Sequence, residues 1–449
     1  MTGDDGFLWG VATSALQIEG ATRRDGRGRS IWEDFQARPG AIANGETVEG
    51  GSHHYDHVAE DVALMAELGV DAYRFSVSWP RVVPQGRGEV NPQGLGFYDR
   101  LVDELLAAGI TPVVTLYHWD LPSALQAEGG WTRRSTSEAF AAYARTVVSA
   151  LGDRVGTFIT HNEPAVASLV SNADGVHAPG NRDIATALAV AHELMVSHGM
   201  AMHEIREVAP DARAGITLDI NQVVPADPDD DAHVDAARLY DGQLARWFLD
   251  PTHGHGYPAD VVAYYGDAAP RATDADLELM ATPTDFTGVN YYRRDTCRPA
   301  DPDDWAAARP SWVTGDAPPP GTTTTALGWE VHPEGLYDVI ARVADAGARE
   351  VMVTENGAAF DDAVTADGRV PDSDRVDYLD GHVAQVLRAR EDGLPVTGWF
   401  LWSLLDNFEW AEGYDKRFGI VRSEPDAFTR IRKDSFAWYR DHLTSRRRG

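Results

Sequence analysis

One pattern limits what this chain can fold into more than any other: short apolar, β-branched runs alternate with longer stretches of helical spacing. Strands are expected at 7–13, 72–79, Thr111–Tyr117, 157–161, 215–220, Phe286–Asn290, 351–354 and Val396–Trp402. Helices are expected at Val58–Leu68, 95–108, 138–151, 185–208, 232–248, 333–346 and 376–390. In the first of these, Val58, Val62, Met65 and Leu68 share a face. Eight strand units over 449 residues fit an α/β fold of the (β/α)8 (TIM) barrel type better than an open, doubly wound sheet. No Gly-x-Gly-x-x-Gly follows an early strand, so a dinucleotide fold has no support. No solenoid-type repeat is present. Residues 226–231, 299–304 and 314–325 read as loops, the last an exposed or partly mobile one. Strand–helix alternation resumes after each, so a single catalytic domain with elaborated βα loops is expected over 1–449.

Charge excludes some partners. The formal charge of -31 argues against nucleic acid and anionic membrane surfaces, which would repel it. Lys416 and Lys433 are the two lysines; the other cations are arginine. Salt adaptation and a GC-rich genome both produce that bias, and the composition leaves the two open. No apolar run approaches the length of a membrane span. The start Met1-Thr2-Gly3-Asp4-Asp5 is acidic and reads as no signal peptide. A lone cysteine, Cys297, fits a reducing compartment, so a cytoplasmic location is expected.

A (β/α)8 barrel carries its chemistry at the carboxyl ends of its strands. Seven of the eight expected strands end in polar or aromatic groups. The first leads to Gln17 and Glu19. The second holds Arg74 and ends Ser78-Trp79-Pro80-Arg81. The third ends His118-Trp119-Asp120, the fourth His161-Asn162-Glu163-Pro164, and the sixth Asn290-Tyr291-Tyr292. The seventh ends Glu355-Asn356-Gly357, and the eighth runs from Trp402 to Asp406, Glu409 and Trp410. Flat Trp and Tyr faces suit the C–H faces of a sugar ring; Gln, His, Asn and Glu suit adjacent hydroxyls. Glu163 and Glu355 belong to strands on opposite sides of the barrel. Glycoside hydrolysis needs such a pair, one to protonate the leaving oxygen and one to attack or activate water. His53-His54 and His253-Gly254-His255 lack the partners of a metal site, and neither metal nor cofactor is expected. Asp229–Asp231 reads as a solvated turn rather than a calcium loop.

Two motifs, Thr160-His161-Asn162-Glu163-Pro164 and Thr354-Glu355-Asn356-Gly357, resemble the signatures of family 1 glycoside hydrolases, the β-glucosidase family. The resemblance spans nearly the whole chain. It includes Phe7-Leu8-Trp9-Gly10 with Gln17-Ile18-Glu19-Gly20, Tyr73-Arg74-Phe75-Ser76, Leu116-Tyr117-His118-Trp119-Asp120 and Trp402-Ser403-Leu404 through Trp410. It implies that Glu163 is the general acid/base and Glu355 the nucleophile of a retaining, exo-acting β-glucosidase. It implies Asn162 for the sugar 2-hydroxyl, and Gln17, His118, Trp119, Glu409 and Trp410 for the non-reducing sugar, with Trp402 as stacking floor. Arg74 and Tyr292 are implied beside the nucleophile, Asn290 near them, and Trp329 at the leaving-group side. Small β-glycosides, including galactosides and fucosides, are the implied substrates. Residues 165–175 and 51–57 depart from the family pattern at the cleft and its rim.

An ionised nucleophile is expected to have its pKa lowered by the adjacent Arg and Tyr. The acid is expected to have its pKa raised by the other carboxylate. Retention predicts carboxyl groups about 5–5.5 Å apart. Three competing readings are a 6-phospho-β-glycosidase, a thioglucosidase and a non-catalytic sugar-binding barrel. Glu409 disfavours the first by repelling phosphate, Glu163 disfavours the second, and the presence of both carboxylates disfavours the third.

Overall fold

The computed structural model describes residues 6–299, 315, 316, 318, 319 and 321–447. The loop expected at 299–304 lies outside these apart from Pro299, and that at 314–325 is described only in part. Eight strands form the centre: β1 Leu8–Ala12, β2 Ala72–Ser76, β3 Thr111–Tyr117, β4 Thr157–Asn162, β5 Arg213–Asp219, β6 Phe286–Asn290, β7 Val351–Asn356 and β8 Val396–Trp402. Each pairs in parallel with the next, and β8 returns to β1 through Leu8↔Gly398 to Ala12↔Trp402, closing the barrel. Outside lie α1 Val58–Leu68, α2 Pro92–Ala107, α3 Arg134–Leu151, α4 Ile184–Val208, α5 Asp231–Asp241, α6 Glu334–Asp345, α7 Ser373–Glu391 and α8 Asp434–Arg446. This is the (β/α)8 barrel expected from the alternation.

Element boundaries differ from expectation for physical reasons. Periodicity starts α2 at 95, but Asn91 caps it by accepting from the Gln93 amide, and Pro92 occupies its first turn. β2 stops at Ser76 rather than 79. Trp79–Val82 turns into a short helix, with Pro80 in its first turn. The helix expected over 232–248 is interrupted by a wide turn at Gly242–Arg246 before resuming at Trp247–Thr252. α8 was not announced by periodicity. It is held by Phe436, Tyr439 and Leu443, too sparse an apolar set to stand out among its charges.

The barrel interior is divided by height. Its floor is apolar, with Leu8, Val113, Ile159, Phe286, Met352 and Phe400 in one buried cluster. Its upper half is polar and hydrogen-bonded, which a buried polar group requires. Two irregularities sit where the chemistry is expected. The β4–β5 register shifts between Ile159 and Asn162, and the β7–β6 register shifts between Val353 and Glu355. Bulges of this kind re-aim the side chains that follow them. Gly357 comes next: a Cβ there would lie 1.7 Å from the Trp402 carbonyl oxygen, so only glycine lets β7 end against β8.

Candidate active site

Glu355, at the end of β7, is 2 % exposed. Arg74 of β2 donates from Nη1 to its Oε1 at 2.5 Å, and the Tyr292 hydroxyl donates to its Oε2 at 2.5 Å. Arg74 is itself fixed by donating from Nε to Thr115 Oγ1 (3.1 Å) and from Nη1 to the Thr354 carbonyl (3.1 Å). Both oxygens of Glu355 are thus held by groups that favour its charged form.

Glu163 follows β4 and is 5 % exposed. A relay of donors orients its partner. Thr217 Oγ1 donates to Thr354 Oγ1 (3.1 Å), and Thr354 Oγ1 donates to Asn290 Oδ1 (2.8 Å). That turns the Asn290 amide nitrogen outward, and it donates to Glu163 Oε1 at 2.5 Å. Asn162 Oδ1 accepts from Arg74 Nη2 (2.6 Å) and Asn290 Nδ2 (3.1 Å), so its own Nδ2 faces His118 Nε2 at 3.2 Å. One polar network therefore joins β2, β4, β6 and β7 across the mouth.

The two carboxyls differ in proton affinity, and one expectation needs correction. Arg74 and Tyr292 do pull Glu355 down, but burial outweighs them and its pKa stands above the ordinary carboxylate value. Glu163 is raised well above that value, by burial first, then by Asp219, then by Glu355; Asn290 and Arg74 oppose. Glu163 therefore keeps its proton to higher pH than Glu355. Glu355 raises Glu163 as expected, but Asp219 is the larger charge acting on it.

The other expected residues gather on one side of this pair. Gln17 donates from Nε2 to Asn407 Oδ1 (2.9 Å), the Phe408 carbonyl (3.0 Å) and Glu409 Oε2 (3.5 Å). His118 lies between Trp402 and Trp410, near-parallel to both, with ring centroids 5.8 and 5.9 Å away. Trp119 packs on Trp410 at 4.4 Å and donates from Nε1 to the Asn162 carbonyl at 2.9 Å. Burial, with Arg74 nearby, keeps the His118 ring neutral by depressing its pKa well below the usual histidine range. Burial and Glu355 push Glu409 up to about 8. Trp329 stands apart, half-buried, 5.5 Å from the Tyr292 ring and under the Arg293 guanidinium.

The backbone is strained here. Trp119, Glu163 and Trp410 adopt positive φ of 72°, 48° and 51°. Non-glycine residues in that region cost roughly 1–3 kcal/mol each and cluster at functional sites.

The match of residues 2–448 to the model of glycosyl hydrolase family 1 decides what this pocket belongs to. The chain belongs to glycosyl hydrolase family 1. It is 45% identical over 436 residues to β-glucosidase A of Thermotoga maritima, covering 97% of this chain and 96% of that one. It is 40% identical to the bifunctional β-D-glucosidase/β-D-fucosidase of Bifidobacterium breve, covering 97% and 96%. The solved β-glucosidase of Thermotoga maritima in complex with castanospermine superposes with a TM-score of 0.93 at 43% identity, covering 99% of each chain.

Within this family 1 barrel, the end of β5 carries a further acidic group that its apolar run does not announce. β5 finishes at Asp219 and continues through Ile220 to Asn221 and Gln222. The strand-end rule, applied to the fifth strand as to the other seven, points to Asp219. Of the paired histidines, His54 Nδ1 meets Asp61 Oδ2 at 2.7 Å, and His253 Nε2 meets Thr287 Oγ1 at 3.1 Å. Lys416 donates to the Ala326 carbonyl at 2.9 Å. Among the described residues, no helix is long and apolar enough to cross a membrane.

Proposed function

We propose that this chain is a retaining, exo-acting β-glucosidase, one catalytic unit that removes terminal β-glucosyl residues from cellobiose-like oligosaccharides or aryl and alkyl glucosides. The observation that carries the reading is the unequal environment of two buried glutamates. Glu355 is gripped by Arg74 and Tyr292 and gives up its proton first. Glu163 accepts from Asn290 and holds its proton longer.

In the first step the Glu355 carboxylate attacks the anomeric carbon, the C1–oxygen bond breaks, and the Glu163 proton passes to the leaving oxygen. The ester that forms removes the Glu355 charge. Glu163, now ionised, takes a proton from the incoming water, which attacks C1 and releases Glu355. Asn162 Nδ2 and the Nδ1–H of His118 supply donors for sugar hydroxyls. Glu409 and Gln17 supply a bidentate partner for hydroxyls at the far edge of the ring. That pair reads hydroxyl positions rather than one configuration, which favours side reaction on galactosides and fucosides; a relative named for both glucosidase and fucosidase activity supports the fucoside part. Glu409 also offers no cation to a 6-phosphorylated sugar.

Proton NMR of the first sugar released from a nitrophenyl β-glucoside tests the stereochemistry. The β anomer should appear first. Early α anomer means inversion, and the covalent intermediate falls.

A further inference from the structure

Alternate residues of a strand face the same way. Two positions before Asp219, Thr217 reaches inside the barrel to Thr354 Oγ1. Asp219 therefore aims into the mouth, at the level of Asn290, its register partner on β6. Asn290 is the residue bonded to Glu163, and the Glu163 amide donates to the Thr217 carbonyl at 2.9 Å. The candidate acid thus sits against the end of the strand that Asp219 terminates. Asp219 is held in place: Asn221 Nδ2 donates to its Oδ1 at 2.9 Å, and Asn221 Oδ1 accepts the amides of Tyr292 (3.1 Å) and Arg293 (3.2 Å).

We propose that Asp219 is a positioning residue whose fixed charge keeps the catalytic proton on Glu163 and so sets the alkaline limit of turnover; this rests on Glu163 being the acid. Charges face Glu163 from three strands: Asp219 on β5, Glu355 on β7 and Arg74 on β2. Charges face Asp219 from Arg293 and Asp295 beyond β6 and from Glu355. The Arg293 charge is shared, because its Nε donates to Asp295 Oδ1 at 2.7 Å. Burial pushes Asp219 itself up to about 6, with Arg293 opposing. It is therefore ionised at and above neutrality, where loss of the Glu163 proton would end catalysis.

Its charge also differs from that of Glu355 in one respect. Glu355 is neutralised in the covalent intermediate, and Asp219 is not. Asp219 therefore keeps Glu163 a stronger base for the water step than it would be alone.

The test is the pH profile of kcat/KM for Asp219→Asn and Asp219→Glu. Substrates are phenyl β-glucoside, which needs protonation of its leaving oxygen, and dinitrophenyl β-glucoside, which needs little. For phenyl glucoside the Asn variant should move the alkaline limb toward acid by on the order of one pH unit and leave the acid limb in place. The Glu variant should keep the alkaline limb near its original position, and dinitrophenyl glucoside should respond less. Circular dichroism melts of both variants report folding independently. An unmoved limb in folded Asp219→Asn overturns the proposal, and so does an equal displacement in Asp219→Glu. Glu163→Gln, assayed alongside, separates the two readings. If it retains full phenyl glucosidase activity, the acid is elsewhere; if it loses that activity while Asp219→Asn shifts nothing, only the role of Asp219 fails.

Discussion

Glu163 and Glu355 carry the same side chain and are both buried, so neighbours alone make their environments differ. The Tyr292 hydroxyl is one such neighbour. It stabilises charged Glu355, so Tyr292→Phe should raise the Glu355 pKa and move the acid limb of kcat/KM to higher pH. A lost hydrogen bond to a charged group is worth about 1.5–3 kcal/mol, so the maximal rate should fall roughly 10- to 100-fold. A pH–rate profile of the variant checks both. Glu355→Gln should lower kcat on the order of 10⁴-fold or more with every leaving group, read by steady-state kinetics. Glu163, Glu355, Asn162 and their aromatic company were legible in the sequence because sugar chemistry demands those residue types at strand ends. The company of Glu355, Arg74 and Tyr292, was legible too. The leading effect of Asp219 and the net rise of Glu355 were not. Both come from burial and from strands that meet only when the barrel closes.

At the level of elements, the loops carrying the pocket are tied by a buried charge cluster. Lys433, just before α8, is fully buried between Asp362 and Asp406, with Asp406 Oδ1 at 2.8 Å. Arg375 of α7 donates to Asp362 at 2.9 Å and Asp372 at 2.5 Å, and Asp372 Oδ2 accepts from Ser435 Oγ at 2.6 Å. Asp406 Oδ1 also accepts the Gly419 amide at 2.9 Å, which closes the loop bearing Glu409 and Trp410. Removing one member of a buried pair leaves an uncompensated charge and costs about 3–5 kcal/mol. Lys433→Met should therefore lower the unfolding free energy by that amount, read as a lower urea midpoint at unchanged slope, and raise KM as the Glu409 loop loosens. The eight strands were readable because apolar runs cannot avoid a buried sheet. The beginning of α2 at Pro92 was not, because its cap, Asn91, is a single polar residue outside the apolar rhythm.

Across the whole molecule, a formal charge of -31 sets up self-repulsion. Exposed ion pairs, such as Arg24–Asp56 and Arg369–Asp434, contribute little against it. Raising salt from about 0.01 to 0.15 M shortens the screening length from about 30 to 8 Å. The thermal midpoint should rise by a few degrees; a fall would mean that surface pairs outweigh the repulsion. Catalysis can also be read on the intact chain. Incubation with a 2-deoxy-2-fluoro β-glucoside bearing a good leaving group should slow breakdown of the glycosyl–enzyme enough to trap it. Mass spectrometry should then show one fluoroglucosyl group per chain, on the peptide containing Glu355. No adduct, or an adduct on any other residue, would contradict a covalent mechanism through Glu355.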